Sequence, residues 1–596
     1  MNNIQEKIIL NNHIDSLCDL YVKGRFYTVI QTAKKLLLRY KDSVALLNIL
    51  GMSNAKINKY EDAIINYKKA IELSPDNATT FFHLGILYHD LNKYSEAIKS
   101  YKKAILCKPN YIDPLFNLSF IHKELGNYKK AVDLLEKIIL INPNYLKAYQ
   151  CLSEIICQYK FIFPNDINLK ILKKTIELNS KPFKDFNVLL FYLNYSHNHT
   201  SEEIFSYYQQ FNDKFGLPLQ QEWQPFTPIK KPKKKLKIGY VSPDFRKHSA
   251  QNFLLPTLAN HNHQKFEIYA FAELTKEDHV TKQYQSYVDH WIPTQNLTDQ
   301  QMVQKIRDME IDILVDLAGH TKNNRLLIFS QKPAPVSITW LGYGYTTGLK
   351  AIDYFLTDKA MAPLGSEHLF SEQPWRLSNY SFCCYQAKTA MGDVGPLPAL
   401  ENGHITFGTL TRAIRINDSV IKVWADILKK VKNSKLIINS RIFKNSFTKK
   451  EFENRFFKFG IFSDQLLFLY KSPPWDTMRQ IDIALDCFPH NSGTTLIEHL
   501  YMGNPFITYA NRPSVGKIGA SILTALGREE WIAYSEQEYV NKVVALATDT
   551  EKLTTIRSSL RKEMEASPIM NHKGFVRELE KTYQSMWENF IKKCDI

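Results

Sequence analysis

The sequence predicts a multidomain chain: an N-terminal all-α repeat solenoid followed by an α/β region built from two doubly wound halves. Three observations predict it. Prolines recur at 34-residue intervals, at Pro75, Pro109 and Pro143, within a helix-forming region. From Lys237 onward, short apolar runs alternate with segments of helical period, as parallel strands joined by helices require. Between the two patterns, residues 215–236 carry Pro218, Pro225, Pro228 and Pro232 and then Lys233-Lys234-Lys235. Such a stretch suits neither helix nor strand and reads as a solvated linker rather than a nucleic-acid patch.

The 34-residue period extends beyond the prolines. Tyr60, Tyr94 and Tyr128 keep it, as do Ala63, Ala97 and Ala131, and Leu50, Leu84 and Leu118. Gly51 and Gly85 keep it too, with Ser119 in the third unit. Small residues at the Gly51 and Ala63 positions let paired helices approach closely. Asn58-Lys59-Tyr60, Asn92-Lys93-Tyr94 and Gly126-Asn127-Tyr128 read as the turns inside each pair. Period and residue identities together resemble the tetratricopeptide repeat. Units are clear over 44–77, 78–111 and 112–145, that is, 44–145. Residues 14–43 read as a degenerate unit, with Tyr27 near the turn. Residues 146–180 begin another, which Phe163-Pro164-Asn165 interrupts. Helical segments are expected to continue to 214, so the solenoid is assigned residues 1–214. Such an array buries a shared core and leaves a concave groove. A polypeptide is the expected occupant; docking or dimerisation alone is the blander use.

In the first α/β half, 237–400, strands are expected at Ile238–Val241, Phe266–Phe271, Ile311–Asp316, Val336–Trp340 and Tyr354–Leu356, with a helix at Met302–Met309. In the second, 401–596, they are expected at Ile405–Gly408, Leu436–Ile438, Leu466–Leu469, Ile481–Asp486 and Phe506–Thr508. Helices fall at Val420–Lys430 and Lys450–Phe457, and the end from Glu536 is mostly helical. Doubly wound sheets bind ligands in the crevice outside their carboxyl strand ends.

Composition narrows the function. The formal net charge is +16, which by itself admits nucleic acid, a membrane surface or acidic ligands. Lysines are scattered over the whole chain and no basic-aromatic RNA motif occurs, so no nucleic-acid partner is expected. Eight cysteines, including Cys383-Cys384, form no CxxC and no zinc-spaced cluster. Reduced thiols, no signal-peptide core and no run of transmembrane length point to a soluble cytoplasmic protein without a membrane span.

One stretch carries chemistry on its face. An apolar strand ending at Asp486 leads into the loop Cys487 to Gly493, and Leu496, Ile497, Leu500 and Tyr501 then recur at helical spacing until Gly503 and Pro505. A small-residue loop at a helix start offers free N–H groups and the positive end of the helix dipole, which suits a phosphate. Thr494 and Thr495 add hydroxyl donors, and Glu498 lies one turn on, placed to accept from sugar hydroxyls. A capped helix packing on a sheet is the alternative.

With the repeats in place, several segments in order resemble the protein O-GlcNAc transferase and SPINDLY family, of the bacterial type. They are Ile238-Gly239-Tyr240-Val241-Ser242-Pro243-Asp244-Phe245-Arg246-Lys247-His248, Asp316-Leu317-Ala318-Gly319-His320-Thr321, and Pro333-Ala334-Pro335-Val336 with Trp340-Leu341-Gly342-Tyr343. Asp353-Tyr354, Thr357-Asp358, Gly493-Thr494-Thr495 with Gly503-Asn504-Pro505, and Gly519-Ala520-Ser521 with Leu526-Gly527 extend the likeness over about 44–590. The resemblance implies a GT-B transferase with two Rossmann-like halves, acceptor side first and nucleotide-sugar side second. It implies inverting transfer of a sugar, usually GlcNAc from UDP-GlcNAc, to Ser or Thr of intracellular proteins. No cofactor and no metal are implied, and the sequence has no Asp-x-Asp.

Residue by residue, the resemblance assigns Gly493, Thr494 and Thr495 to the diphosphate and Glu498 to the ribose. Arg415 falls where the family has a diphosphate lysine, and Arg412 where a glutamine meets the nucleotide. Both substitutions keep or add charge but change geometry. Lys471 falls near the uridine pocket. The following Ser472-Pro473-Pro474-Trp475 departs from the family: an expected histidine is absent, and Trp475 fits either base stacking or the core. His248 matches the acceptor-side histidine, which takes a proton or positions the hydroxyl. His320 is expected in the acceptor cleft or as a helix cap, and His490 in the donor loop. The asparagine ladder of animal members is reduced here to Asn117, with Ile49 and His83 at the other positions. Another donor (glucose, fucose), another acceptor (Asn, a glycan), and a non-catalytic repeat scaffold stay open, as does a homo-oligomer.

Overall fold

The computed structural model describes residues 2–159, 165–226, 235–378 and 381–594. Two segments named above fall outside the described residues: Phe163-Pro164, and the linker core 227–234 with Lys233-Lys234. The chain divides into two units, 1–156 with 162–180, and 181–596 with 157–161.

The first unit is all helical. Val44–Lys56 pairs with Tyr60–Leu73, Ala78–Asp90 with Tyr94–Cys107, and Ile112–Glu124 with Tyr128–Ile141. Asn2–Val22 and Phe26–Arg39 precede them, and Leu146–Gln158 and Asn165–Leu178 follow. The sequence explains the tight turns. Asn58, Asn92 and Gly126 occupy equivalent positions and take φ of 61°, 56° and 74°, the left-handed conformation that ends a helix and that asparagine and glycine tolerate best. Ser43 and Asn77 then cap the first helices of two pairs, accepting from the N–H groups of Leu46 and Thr80.

Pairing within a repeat is a backbone-on-ring contact. A Cβ on Gly51 would sit 2.5 Å from the Tyr67 ring, and one on Gly85 2.6 Å from the Tyr101 ring. Both tyrosines are fully buried. Gly85→Val is therefore expected to cost about 1–3 kcal/mol through overpacking. Hydrogen–deuterium exchange of the helices Ala78–Asp90 and Tyr94–Cys107 reads it as faster exchange in the variant.

The second unit holds two all-parallel sheets. The first comprises β1 (Leu236–Ser242), β2 (Phe266–Ala272), β3 (His290–Pro293), β4 (Ile313–Asp316), β5 (Val336–Thr339), β6 (Tyr354–Asp358) and β7 (Gln373–Leu377), in the order β3-β2-β1-β4-β5-β6-β7. The second comprises β8 (Thr406–Leu410), β9 (Lys435–Asn439), β10 (Leu466–Leu469), β11 (Ile483–Leu485), β12 (Phe506–Tyr509) and β13 (Ile532–Ala533), in the order β10-β9-β8-β11-β12-β13. The apolar runs of the sequence are the strands of these sheets. Their central strands are buried on both faces, as covered parallel sheets demand.

Three features differ from the expected layout. The helices Phe183–Leu193 and Ser201–Phe211 belong to the second unit, although the solenoid was expected to reach 214. Their buried faces are spent on the first sheet's loops: Tyr208 Oη meets Tyr343 Oη at 2.9 Å and Asn187 meets His320 at 2.6 Å. Helical turns also continue through Asn212–Gly216 and Leu217–Glu222, into the expected linker. Finally, the last helix, His572–Cys594, lies on the first sheet rather than with the second half. Phe575, Val576, Leu579, Tyr583 and Met586 join the core of Ile238, Val336, Ile338 and Trp340. A buried chain of hydrogen bonds pins it there. Tyr240 Oη lies 3.0 Å from Tyr583 Oη and 2.9 Å from His261 Nε2, and His261 Nδ1 lies 3.0 Å from Glu580. Among the described residues, no helix is long and apolar enough to cross a membrane.

Candidate functional site

Each sheet has a point where the strand order reverses. In the first it lies between β1 and β4, in the second between β8 and β11. Loops leaving the carboxyl ends of such strand pairs diverge and open a crevice. Four loops are thereby selected: Ser242–His248 after β1, Asp316–Thr321 after β4, Leu410–Arg415 after β8, and Asp486–Gly493 after β11.

A buried aspartate braces one loop of each pair. Asp316 accepts from the N–H groups of Ala318 and Gly319 and from the Thr339 hydroxyl on β5. Asp486 accepts from the N–H groups of Cys487 and Ser492 and from the Thr508 hydroxyl on β12. Burial pushes the Asp486 carboxyl up to about 7, against those hydrogen bonds. The two halves thus hold their loops by the same device.

The Asp486 loop ends on the helix Thr494–Tyr501, whose N-cap, Gly493, supplies no side-chain cap. Gly493, Thr494 and Thr495 are half-buried at this helix start. Arg415 is half-buried nearby: its Nη1 reaches only the Thr411 hydroxyl, at 3.4 Å, and its buried Nε has no hydrogen-bond partner. Thr411 in turn meets Ser492 at 3.1 Å, which ties the β8 loop to the β11 loop. Arg412 is exposed. Glu498 is buried, and burial raises its carboxyl to about 7 against the opposing effect of Lys388. Lys471 is exposed, with its backbone clamped by both ends of the Asn439 amide, at 2.9 and 3.0 Å.

His248 lies half-buried on the first half, its Nδ1 3.6 Å from Asp244 and 3.4 Å from the Ala250 N–H. Burial lowers its pKa below 6.5; Asp244 opposes this, while Arg246 and Arg412 add to it. Arg412 belongs to the loop after β8, so that loop lies close enough to the β1 loop for its charge to act on His248.

Burial sets the roles of three further residues. His320 does not open onto the cleft: it is 3% exposed, its Nδ1 meets Asn187 Oδ1 at 2.6 Å, and its Nε2 meets the Thr347 carbonyl at 2.8 Å. Burial among Tyr208, Phe211 and Tyr343 drives its pKa to about 3. It organises the core beneath the loop. Trp475 packs in the core with Met391, Leu410, Ile437 and Met478 and is not a free stacking platform. His490 lies in the loop after β11, buried and neutral: its Nδ1 is 2.8 Å from the Asn491 carbonyl, and burial with Arg415, Arg512 and Arg412 nearby holds its pKa well below 6.5.

The sequence profile of glycosyl transferase family 41 matches residues 213–387 and 397–579. The chain belongs to glycosyl transferase family 41. Tetratricopeptide repeat profiles match 55–92, 87–126 and 112–145. Among curated relatives, the probable UDP-N-acetylglucosamine–peptide N-acetylglucosaminyltransferase SPINDLY of Solanum lycopersicum is 33% identical over 411 residues, 68% of this chain and 44% of that protein. Its counterpart in Arabidopsis thaliana is 33% identical over 408 residues, 67% of this chain and 44% of that protein. The chain thus spans less than half the length of these relatives. A solved structure, a lysine-to-methionine mutant of the Thermobaculum terrenum O-GlcNAc transferase, superposes with a TM-score of 0.75 at 26% identity, covering 87% of this chain and 98% of that one. Repeats followed by paired parallel sheets are accordingly the family 41 GT-B arrangement.

Family 41 membership does not by itself reveal several residues around the site. Tyr195, Lys388 and Arg512 stand outside the sequence motifs: Tyr195 and Arg512 lie near His490, and Lys388 acts on Glu498. Arg512 lies shortly before Gly519-Ala520-Ser521, which offered a local signal; Tyr195 and Lys388 lie in segments without one.

Proposed function

We propose that this family 41 protein is an inverting protein glycosyltransferase, moving GlcNAc from UDP-GlcNAc to Ser or Thr hydroxyls, with the repeats recruiting the acceptor. The observation that carries the reading is Arg415. It is a cation with an unpartnered buried Nε beside an uncapped helix start, in a cleft whose other wall carries His248. Buried unmatched donors await an acceptor-rich ligand, and a diphosphate supplies one.

In this reading Arg415, Thr494, Thr495 and the helix start take up the charge on the departing UDP. Glu498 accepts from the ribose, and Arg412 and Lys471 flank the nucleotide. The acceptor oxygen attacks the anomeric carbon on the face opposite UDP. The bond from that carbon to the diphosphate oxygen breaks, and UDP leaves with the electron pair. His248, neutral at pH 7 because its pKa lies below 6.5, receives or steers the hydroxyl proton.

The groove of the first unit agrees only partly with an asparagine ladder. Asn117 donates to Tyr101 Oη at 3.3 Å, His83 stacks on Tyr67 with ring centroids 6.4 Å apart, and Ile49 is buried.

The test is purified protein incubated with labelled UDP-GlcNAc, UDP-glucose or GDP-fucose and a cell lysate. Label on Ser or Thr from UDP-GlcNAc is the expected result. Label from another donor, or on asparagine, would replace the sugar or acceptor; no label and no donor hydrolysis would sink the reading. With protein groups meeting the diphosphate charge, excess EDTA is expected to leave the rate within about twofold, since the leaving charge is met by preorganised donors. Loss of turnover restored by Mg²⁺ would contradict that.

A further inference from the structure

Arg415 and His490 share a neighbour that comes from neither sheet. The helix Phe183–Leu193 ends in a turn, and Asn194, Tyr195 and Ser196 are 2–3% exposed. Arg512 fixes this turn by donating to the carbonyls of Leu193 (3.3 Å), Asn194 and Ser196 (3.0 Å). A cation at the carbonyl end of a helix is favourable both as donor and against the dipole. The turn so held delivers Tyr195 to the donor loop. Its ring lies face to face with His490, centroids 4.5 Å apart and planes inclined by 6°. The Arg415 guanidinium carbon lies 5.7 Å from the same ring's centroid.

We propose that Tyr195 is a positioning residue of the diphosphate site, its ring holding Arg415 and His490 in place for the anion. This rests on the donor site proposed above. Arg415 needs such a wall. Its side chain has several rotatable bonds, no ion pair with a carboxylate among the described residues, and one long hydrogen bond. Without a packed neighbour, ordering it for the ligand would cost rotamer freedom. The ring supplies the wall without spending the guanidinium's donors, because an aromatic face attracts a cation but takes no hydrogen bond that the phosphate needs. His490 gains as well. Stacked on Tyr195, with Nδ1 on the Asn491 carbonyl, it keeps one orientation in a loop one residue before Asn491 and three before Gly493.

The experiment is calorimetric titration of the full chain with UDP. Five variants accompany the unaltered protein: Tyr195→Phe, Tyr195→Leu, His490→Ala, His490→Phe and Tyr195→Leu with His490→Ala. Tyr195→Phe is expected within about twofold of the unaltered protein. Tyr195→Leu should bind about tenfold more weakly, because it removes one stacked ring pair and one cation–π interaction. The double variant should be no weaker than the weaker single, since both break the same ring pair. A merely structural role would give multiplying losses. Unchanged affinity in Tyr195→Leu, equal loss in Tyr195→Phe, or multiplying losses would each overturn the proposal. If Tyr195→Leu does not fold, the histidine pair decides: His490→Phe retained with His490→Ala weakened supports the stack, and equal weakening overturns it. An unaltered protein that binds no UDP removes the donor site and this role together. UDP binding with an unchanged Tyr195→Leu removes this role alone.

Discussion

Arg415→Ala is expected to lower turnover about 10²- to 10³-fold, the loss typical of removing one preorganised donor to developing charge. The geometry supports a loss of this size. Arg415 lies beside the uncapped Gly493 helix start, and its Nε has no protein partner to compensate for its removal. Of the neighbouring arginines, Arg412 is exposed and Arg512 is engaged with three backbone carbonyls, which leaves Arg415 to meet the charge forming on the leaving diphosphate. The effect should fall mainly on kcat, because the charge grows as the bond breaks. Arg415→Lys keeps the charge but gives up the planar fork, so it should recover most of the loss. The measurement is initial rate against UDP-GlcNAc concentration for the three proteins. Equal kcat in Arg415→Ala and the unaltered protein would remove this residue from the mechanism.

His248→Ala should lower turnover by about 10²- to 10⁴-fold, the usual range for a positioned acid–base group. Its pH signature is more specific. A base must be unprotonated, so activity is lost as pH falls through its pKa. Burial, Arg246 and Arg412 lower that pKa and only Asp244 raises it. The acid limb of kcat/KM is therefore expected below pH 6.5. Asp244→Asn removes the one raising influence and should move the limb to still lower pH. A limb that moves upward, or one unchanged in His248→Ala, would assign the titration to another group.

Residues whose role is local were legible in the sequence. The repeat tyrosines, the Asn58 and Asn92 turns and the central strands depend on period and on continuous apolar runs, and these can be counted along the chain. Strands β3, β7 and β13 escaped because all three are edge strands. An edge strand needs no two-sided apolar run: only Ile292 of His290–Pro293 is buried, Gln373–Leu377 contains proline and arginine, and Ile532–Ala533 has two residues. At the site, Arg415, Thr494, Thr495, Glu498 and His248 stood in motifs. The side chains that hold them did not. Tyr195 reaches His490, and Arg512 reaches Ser196, across about half of the chain, and nothing in the local pattern of either announces the partner. His320 and Trp475 show the converse. Each stands where a motif or a departure from one drew notice, yet burial and packing partners, invisible in a linear string, make them framework.

The return of the helix His572–Cys594 to the first sheet bears on synthesis as well as on stability. Chains fold as they emerge, N-terminal parts first. Here the first sheet leaves the ribosome long before the helix that covers Ile238, Val336 and Trp340. One apolar face of that sheet must wait, uncovered, through the making of the entire second half. A nascent or truncated chain ending before Asn571 would carry that face into the cell, a substrate for chaperones or a seed for aggregation. Emergence of the helix His572–Cys594 is thus the event that completes the core of the first sheet.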